Sequence, residues 1–200
     1  MEPTESAIWN SALLILDMQN DIAGSHKSGH EVEYDISAIT KNIAKLRDAF
    51  HSNNLPVIYT MVAYRPSYVD AHATAPARKQ NTLKLGDKGA EIIGDLEPTG
   101  DDIVVVKRRI GAFYQTELEL IMRGLGKSSL VVTGTSLPRA VESTVREAHS
   151  RDIWSLVVKD ACFAASRDEH SHCIEVLSKY NFASVVTTVE VCKILEGAVV

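Results

Sequence analysis

Cysteine is scarce in this chain and badly spaced for a framework. Cys162, Cys173 and Cys192 are the only three, with no Cys-x-x-Cys pair among them. An odd count so arranged argues against a disulfide scaffold and against a zinc site. Each reads as a small apolar filler rather than a nucleophile. Basic blocks are missing too, and the formal net charge is −5, so a nucleic-acid or anionic-membrane partner gets no support. No apolar run approaches the ~20 residues that span a bilayer. The acidic opening Met1-Glu2-Pro3-Thr4-Glu5 is unlike a signal peptide. A cytoplasmic protein is expected. Without a Gly-x-Gly-x-x-Gly or Walker pattern, nucleotide binding is not expected either.

What is present suits one α/β domain. Two hundred residues, 45% of them apolar, supply a sizeable core. Residues 1–10 read as a disordered leader and 11–200 as the domain. The run Ala12-Leu13-Leu14-Ile15-Leu16 is apolar without alternation, as in a strand buried on both faces. Further strands are expected at 57–63, 103–106, 130–134, 156–158 and 183–187. Between them, apolar residues recur at steps of three and four, for example Ile36, Ile39, Ile43, Leu46 and Phe50, which marks amphipathic helices. Six β-α units in succession, without a composition break, predict one doubly wound parallel α/β domain. Two long polar stretches, 18–34 with His26 and His30, and 64–87, read as loops over the site.

Three strand ends carry polar residues that point to chemistry. They are Asp17, Lys107 and the turn Gly134-Thr135-Ser136-Leu137-Pro138-Arg139-Ala140. In open parallel sheets ligands bind beyond the carboxyl ends of the strands. A carboxylate and an ammonium gathered there hold each other charged and can move protons. The turn after the fourth strand opens a helix, whose free N–H groups favour an anion. The bland alternatives are a turn cap for Asp17 and a solvated strand-end cation for Lys107. In that bland alternative Arg109, beside it, simply faces solvent.

Four motifs in order resemble the isochorismatase-like hydrolases, also called the cysteine hydrolase superfamily. They are Leu14-Ile15-Leu16-Asp17-Met18-Gln19-Asn20-Asp21, Lys107 through Leu118, Val132-Thr133-Gly134 with Val141 through Ala148, and Lys159-Asp160-Ala161-Cys162. The resemblance covers about 11–195. It implies a three-layer α/β/α domain, a six-stranded parallel sheet in the order 3-2-1-4-5-6, and a homodimer or homotetramer. In that order Lys107 starts two strands from Asp17, so its long stem must bring it across.

In the family's amidases an Asp–Lys–Cys triad acts. Asp17 and Lys107 match its first two members, but the third position is Ala140. An acyl-enzyme needs an activated thiolate, and alanine has none. The chain therefore resembles the branch without the cysteine, to which true isochorismatases belong. A single Cys-to-Ala change made to trap substrate would leave the neighbours intact, whereas Leu137-Pro138-Arg139 also departs from the amidase turn. The expected activity is vinyl-ether hydrolysis of a small anionic substrate such as isochorismate, with Asp17 as general acid. The alternatives are a thiol-free C–N hydrolase and an inactive binding module on the same scaffold. Gln19, Arg65, Tyr114, Gly134, Thr135, Ser136 and Arg139 are the expected substrate contacts. Nicotinamidase relatives carry an Asp-x-His metal pair, and Asp70-Ala71-His72 has that spacing. It falls well past the strand end, so neither metal nor cofactor is expected. His149, His170 and His172 read as surface or loop histidines.

Overall fold

The computed structural model describes residues 3–24 and 35–197. His26 and His30 lie outside the described residues. The strands are β1 (Ser11–Leu16), β2 (Val57–Val62), β3 (Ile103–Lys107), β4 (Ser129–Thr135), β5 (Trp154–Phe163) and β6 (Ser184–Val186). They form one parallel sheet in the order β3-β2-β1-β4-β5-β6. The helices are α1 (Pro3–Trp9), α2 (Asn20–Ala23), α3 (Ile36–Ser52), α4 (Pro76–Gln80), α5 (Leu118–Gly124), α6 (Glu142–His149), α7 (Arg167–Lys179) and α8 (Thr188–Glu196).

Strand β1 is central because every one of its residues is buried. Leu13 and Ile15 enter one core with α1, α3 and α8. Ala12, Leu14 and Leu16 enter the other, with α5, α6 and α7. A run apolar at every position is what a strand between two helical layers requires. A third, smaller apolar cluster joins Val62, Tyr64, Tyr68, Ala71 and Ala77, so the 64–87 stretch is a packed loop with its own short helix.

The leader differs from expectation. Residues 3–9 are helical, and Ile8 is fully buried in the α3–α8 core. The acidic, polar opening hides this anchor because one apolar side chain leaves little periodic signal. Strand β5 is also longer than its apolar run suggests, continuing through Lys159 and Asp160 to Phe163. There its two charged residues are exposed, while Ala161, Cys162 and Phe163 return to the core.

Candidate active site

The strand order reverses between β1 and β4, and the site forms at that switch point. Leu16 pairs with Gly134. Gly134 has φ +112, and a Cβ there would collide with the Leu16 backbone. Only glycine allows that approach. The Thr135–Ser136 peptide that follows is cis. A π-helical turn, Leu137–Val141, then leads into α6.

Asp17 sits one residue past β1, with φ 53. Aspartate tolerates the left-handed region better than most residues. Its carboxylate is buried, and each oxygen has a donor. Thr60 Oγ1 donates to Oδ1 at 2.6 Å. Lys107 Nζ stands 2.7 Å from Oδ2. The lysine stem thus crosses the width of β2 and brings the ammonium into direct contact with Asp17. Lys107 is 1% exposed, and its ammonium also donates to the carbonyls of Arg109 (3.2 Å) and Ile110 (2.8 Å). Three acceptors match its three protons.

The loop that supplies those carbonyls is pinned from α6. Thr144 Oγ1 accepts the Ala112 N–H, and Glu147 Oε2 accepts the Phe113 N–H. This gives the Val141–Ala148 motif a physical role, since it fixes the loop that seats Lys107. Asp160 acts similarly at the far side, accepting the N–H and hydroxyl of Thr188 at the start of α8.

Positive charge collects at the mouth. Tyr64, buried after β2, lies within electrostatic reach of Asp17, Asp70, Arg109 and Arg139. Burial pushes its phenol up, Arg109 draws it back, Asp17 and Asp70 push it up again, and Arg139 opposes them. Arg109 is held by the carbonyls of Asp70 and Arg108, each at 2.8 Å. Arg139 is exposed on the turn after β4.

The other expected contacts have varied surroundings. Arg65 points to Asp70 at 3.1 Å and its side chain is 65% exposed; a carboxylate of the chain already occupies it. Arg109, left to solvent in the bland alternative, is brought within electrostatic reach of Tyr64. Gln19 is fully buried. Its amide donates to the carbonyls of Val62 and Ala90 and accepts the Val62 N–H, so it braces the end of β2. Tyr114 is 49% exposed on the loop after β3. His170, which the family resemblance marks as a structural position, is buried with Nε2 on the Lys159 carbonyl. Ser136 is half-buried, and its carbonyl accepts the N–H groups of Arg139 and Val141. Thr135 is buried, and its hydroxyl has no protein partner among the described residues. Thr60 and Tyr64 were not anticipated as parts of the site.

Ala140 is buried at the foot of α6. No other sulfur replaces the missing thiol. Cys162 is buried with Sγ against the Val132 carbonyl, and burial pushes its thiol far up. Cys173 lies on α7 against Glu142, and Cys192 lies on α8. Asp70 accepts from Arg65 and Arg108, and His72 pairs with Thr74. Among the described residues no three His, Cys, Asp or Glu side chains gather to hold a metal ion. A cavity of about 620 Å³ lies at the opposite, amino edge of the sheet, beside the His51–Asp102 pair. It contains none of these groups.

The fold is a doubly wound parallel sheet with a buried carboxylate–ammonium pair at its switch point. Comparison with known proteins specifies its family. The isochorismatase domain model matches residues 11–190, and the chain belongs to that family of hydrolases. A ureidoacrylate amidohydrolase of Yersinia enterocolitica is 30% identical over 186 residues, covering 84% of this chain and 81% of its own. Enterobactin synthase component B of Escherichia coli is 32% identical over 160 residues, covering 80% of this chain and 55% of its own. An isochorismatase family protein from Desulfovibrio vulgaris superposes with a TM-score of 0.82 at 27% identity, covering 94% of this chain and 98% of that one.

Proposed function

We propose that this hydrolase cleaves the vinyl ether of a small dianion of the isochorismate type, without a covalent intermediate. The observation that carries the reading is the complete Asp17–Lys107 pair beside an alanine at position 140. The machinery for moving a proton is intact, and the nucleophile of an acyl-enzyme is missing.

In this mechanism protonated Asp17 gives its proton to the terminal CH2 of the enolpyruvyl group. The carbon bearing the ether oxygen becomes an oxocarbenium centre. Water adds to it, and its released proton returns to Asp17. The hemiketal collapses to an alcohol and pyruvate. Arg109 and Arg139 hold the two carboxylates, since guanidinium groups match them well. The short side chain of Ala140 leaves space where a thiol would stand.

The Lys107 ammonium stands 2.7 Å from Asp17, and an acid must hold its proton beside that charge. The substrate resolves this conflict. A bound dianion brings negative charge and expels water, and both effects move the proton onto Asp17.

The test couples pyruvate release from isochorismate to lactate dehydrogenase. The wild type releases pyruvate, and Asp17→Asn reduces the rate by about 10²- to 10⁴-fold, the range of a lost general acid. No release by the wild type, or an undiminished rate in the variant, overturns the reading. Ammonia from ureidoacrylate, with no pyruvate from isochorismate, would instead assign a thiol-free amide hydrolase.

A further inference from the structure

Thr60 has no part in the chemistry above, yet it grips Asp17 twice. Its hydroxyl donates to Oδ1 at 2.6 Å, and its carbonyl accepts the Asp17 N–H at 3.2 Å. We infer that Thr60 is a positioning residue that fixes the Asp17 carboxyl group and assigns its transferable proton to Oδ1. The inference deepens the proposed function and rests on Asp17 being its acid.

The two oxygens of Asp17 are unequal. Oδ2 faces a full positive charge, with Lys107 Nζ at 2.7 Å. An ammonium only donates, so Oδ2 must stay an acceptor. Oδ1 faces a neutral hydroxyl, which tolerates a proton on the same oxygen. The proton therefore resides on Oδ1. Each carboxylate oxygen has two lone-pair directions. Thr60 occupies one at Oδ1, and the other carries the proton toward the substrate. As that proton leaves, negative charge grows on Oδ1, and the hydroxyl bond strengthens.

Thr60 is fully buried on β2, and its register opposite Leu16 places the hydroxyl beside the Asp17 turn. Gln19 makes a second brace two residues further, through both backbone groups of Val62. The carboxyl group is thus held by β2 on one oxygen and by β3 on the other. Lys107 from β3 faces the carboxyl group directly and Tyr64 after β2 lies within electrostatic reach of it, while Arg109 from the loop after β3 and Arg139 from the turn after β4 lie within reach of Tyr64. None of these changes in the variants below.

The experiment compares Thr60→Val, Thr60→Ala and Thr60→Ser with the wild type. Turnover on isochorismate is followed across pH. Substrate-free protein with 13C-labelled aspartate carboxyls is followed by NMR, the Asp17 signal being the one lost in Asp17→Asn. Thr60→Val is expected to lower kcat by about 10- to 100-fold through lost orientation, with KM within about threefold because no substrate contact is removed. Losing a donor to the carboxylate makes the proton easier to keep. The limb requiring protonated Asp17, and the midpoint of its carboxyl signal, should both move to higher pH. Thr60→Ser, which keeps the hydroxyl, restores both. Thr60→Ala repeats the pattern if valine disturbs folding.

Lower thermal stability with unmoved pH profile and carboxyl midpoint would overturn the inference, leaving Thr60 a packing residue. If the wild type releases no pyruvate but the midpoint still moves in Thr60→Val and returns in Thr60→Ser, the functional reading fails and the Thr60 assignment stands.

Discussion

Lys107 carries an ammonium into the protein interior, and everything near it compensates for that charge. Asp17 and two loop carbonyls surround Nζ. Removing one member of a buried ion pair strands the other, at a cost of about 3–5 kcal/mol. Lys107→Met should therefore destabilise the fold by that amount in urea unfolding at pH 7. The double variant Asp17→Asn/Lys107→Met should recover a large part of the loss, because no charge is then left alone. A double variant as unstable as the sum of the two singles would show that the pair is not coupled. At this scale the sequence reveals strand-end residues best. Asp17 and Lys107 stand where an apolar run stops, which is a local signal. Thr60 sits inside an apolar strand, where a β-branched hydroxyl looks like ordinary strand propensity, and its partner is 43 positions away. Arg109 and Arg65 look alike on paper. Which one meets a carboxylate depends on Asp70, whose carboxylate takes Arg65 and whose carbonyl holds Arg109.

Elements followed their periodic signals except where a single contact outweighs the pattern. Helix α1 is held by Ile8, and β5 runs past its apolar stretch because Gly134 and Thr135 of β4 pair with Cys162 and Phe163. Capping, by contrast, is local and readable. Ser166 accepts the Glu169 N–H and starts α7. Thr187 and Glu190 form a reciprocal capping box at α8, and α8 covers the core shared with α3. Thr187→Ala should cost about 1 kcal/mol at pH 7. The Thr187 hydroxyl and then its backbone N–H hold the Glu190 carboxyl below its usual range. A lowered folded value means that this contribution is present above the unfolded value, ~4.3, and is lost as pH falls through the folded one. The stability gap between wild type and variant should therefore narrow below about pH 4. A gap unchanged between pH 7 and pH 3 would mean that the box contributes through packing alone.

For the whole molecule, the sheet order decides what can meet. Because β1 lies between β2 and β4, Asp17 receives Thr60 from one side and the Gly134 turn from the other. The same layering puts Cys173 on α7 and Cys192 on α8, while Cys162 pairs with Gly134 from β5 with its thiol buried against the Val132 carbonyl. Burial is the leading cause that pushes up all three thiols, Cys162 furthest, Cys173 to about 11 and Cys192 less. A raised value leaves the thiol protonated. At pH 8 the thiolate fraction of Cys173 is about one in a thousand. Native protein at pH 8 should react only slowly with a disulfide reagent, and all three thiols should react at once in guanidinium chloride. Pyruvate release should also survive prolonged iodoacetamide treatment, since no step of the proposed hydrolysis passes through sulfur. Loss of that activity in proportion to alkylation of Cys162 would mean that β5 supplies the nucleophile after all. The thiol-free mechanism would then be wrong, although the Asp17–Lys107 pair could still act as its base.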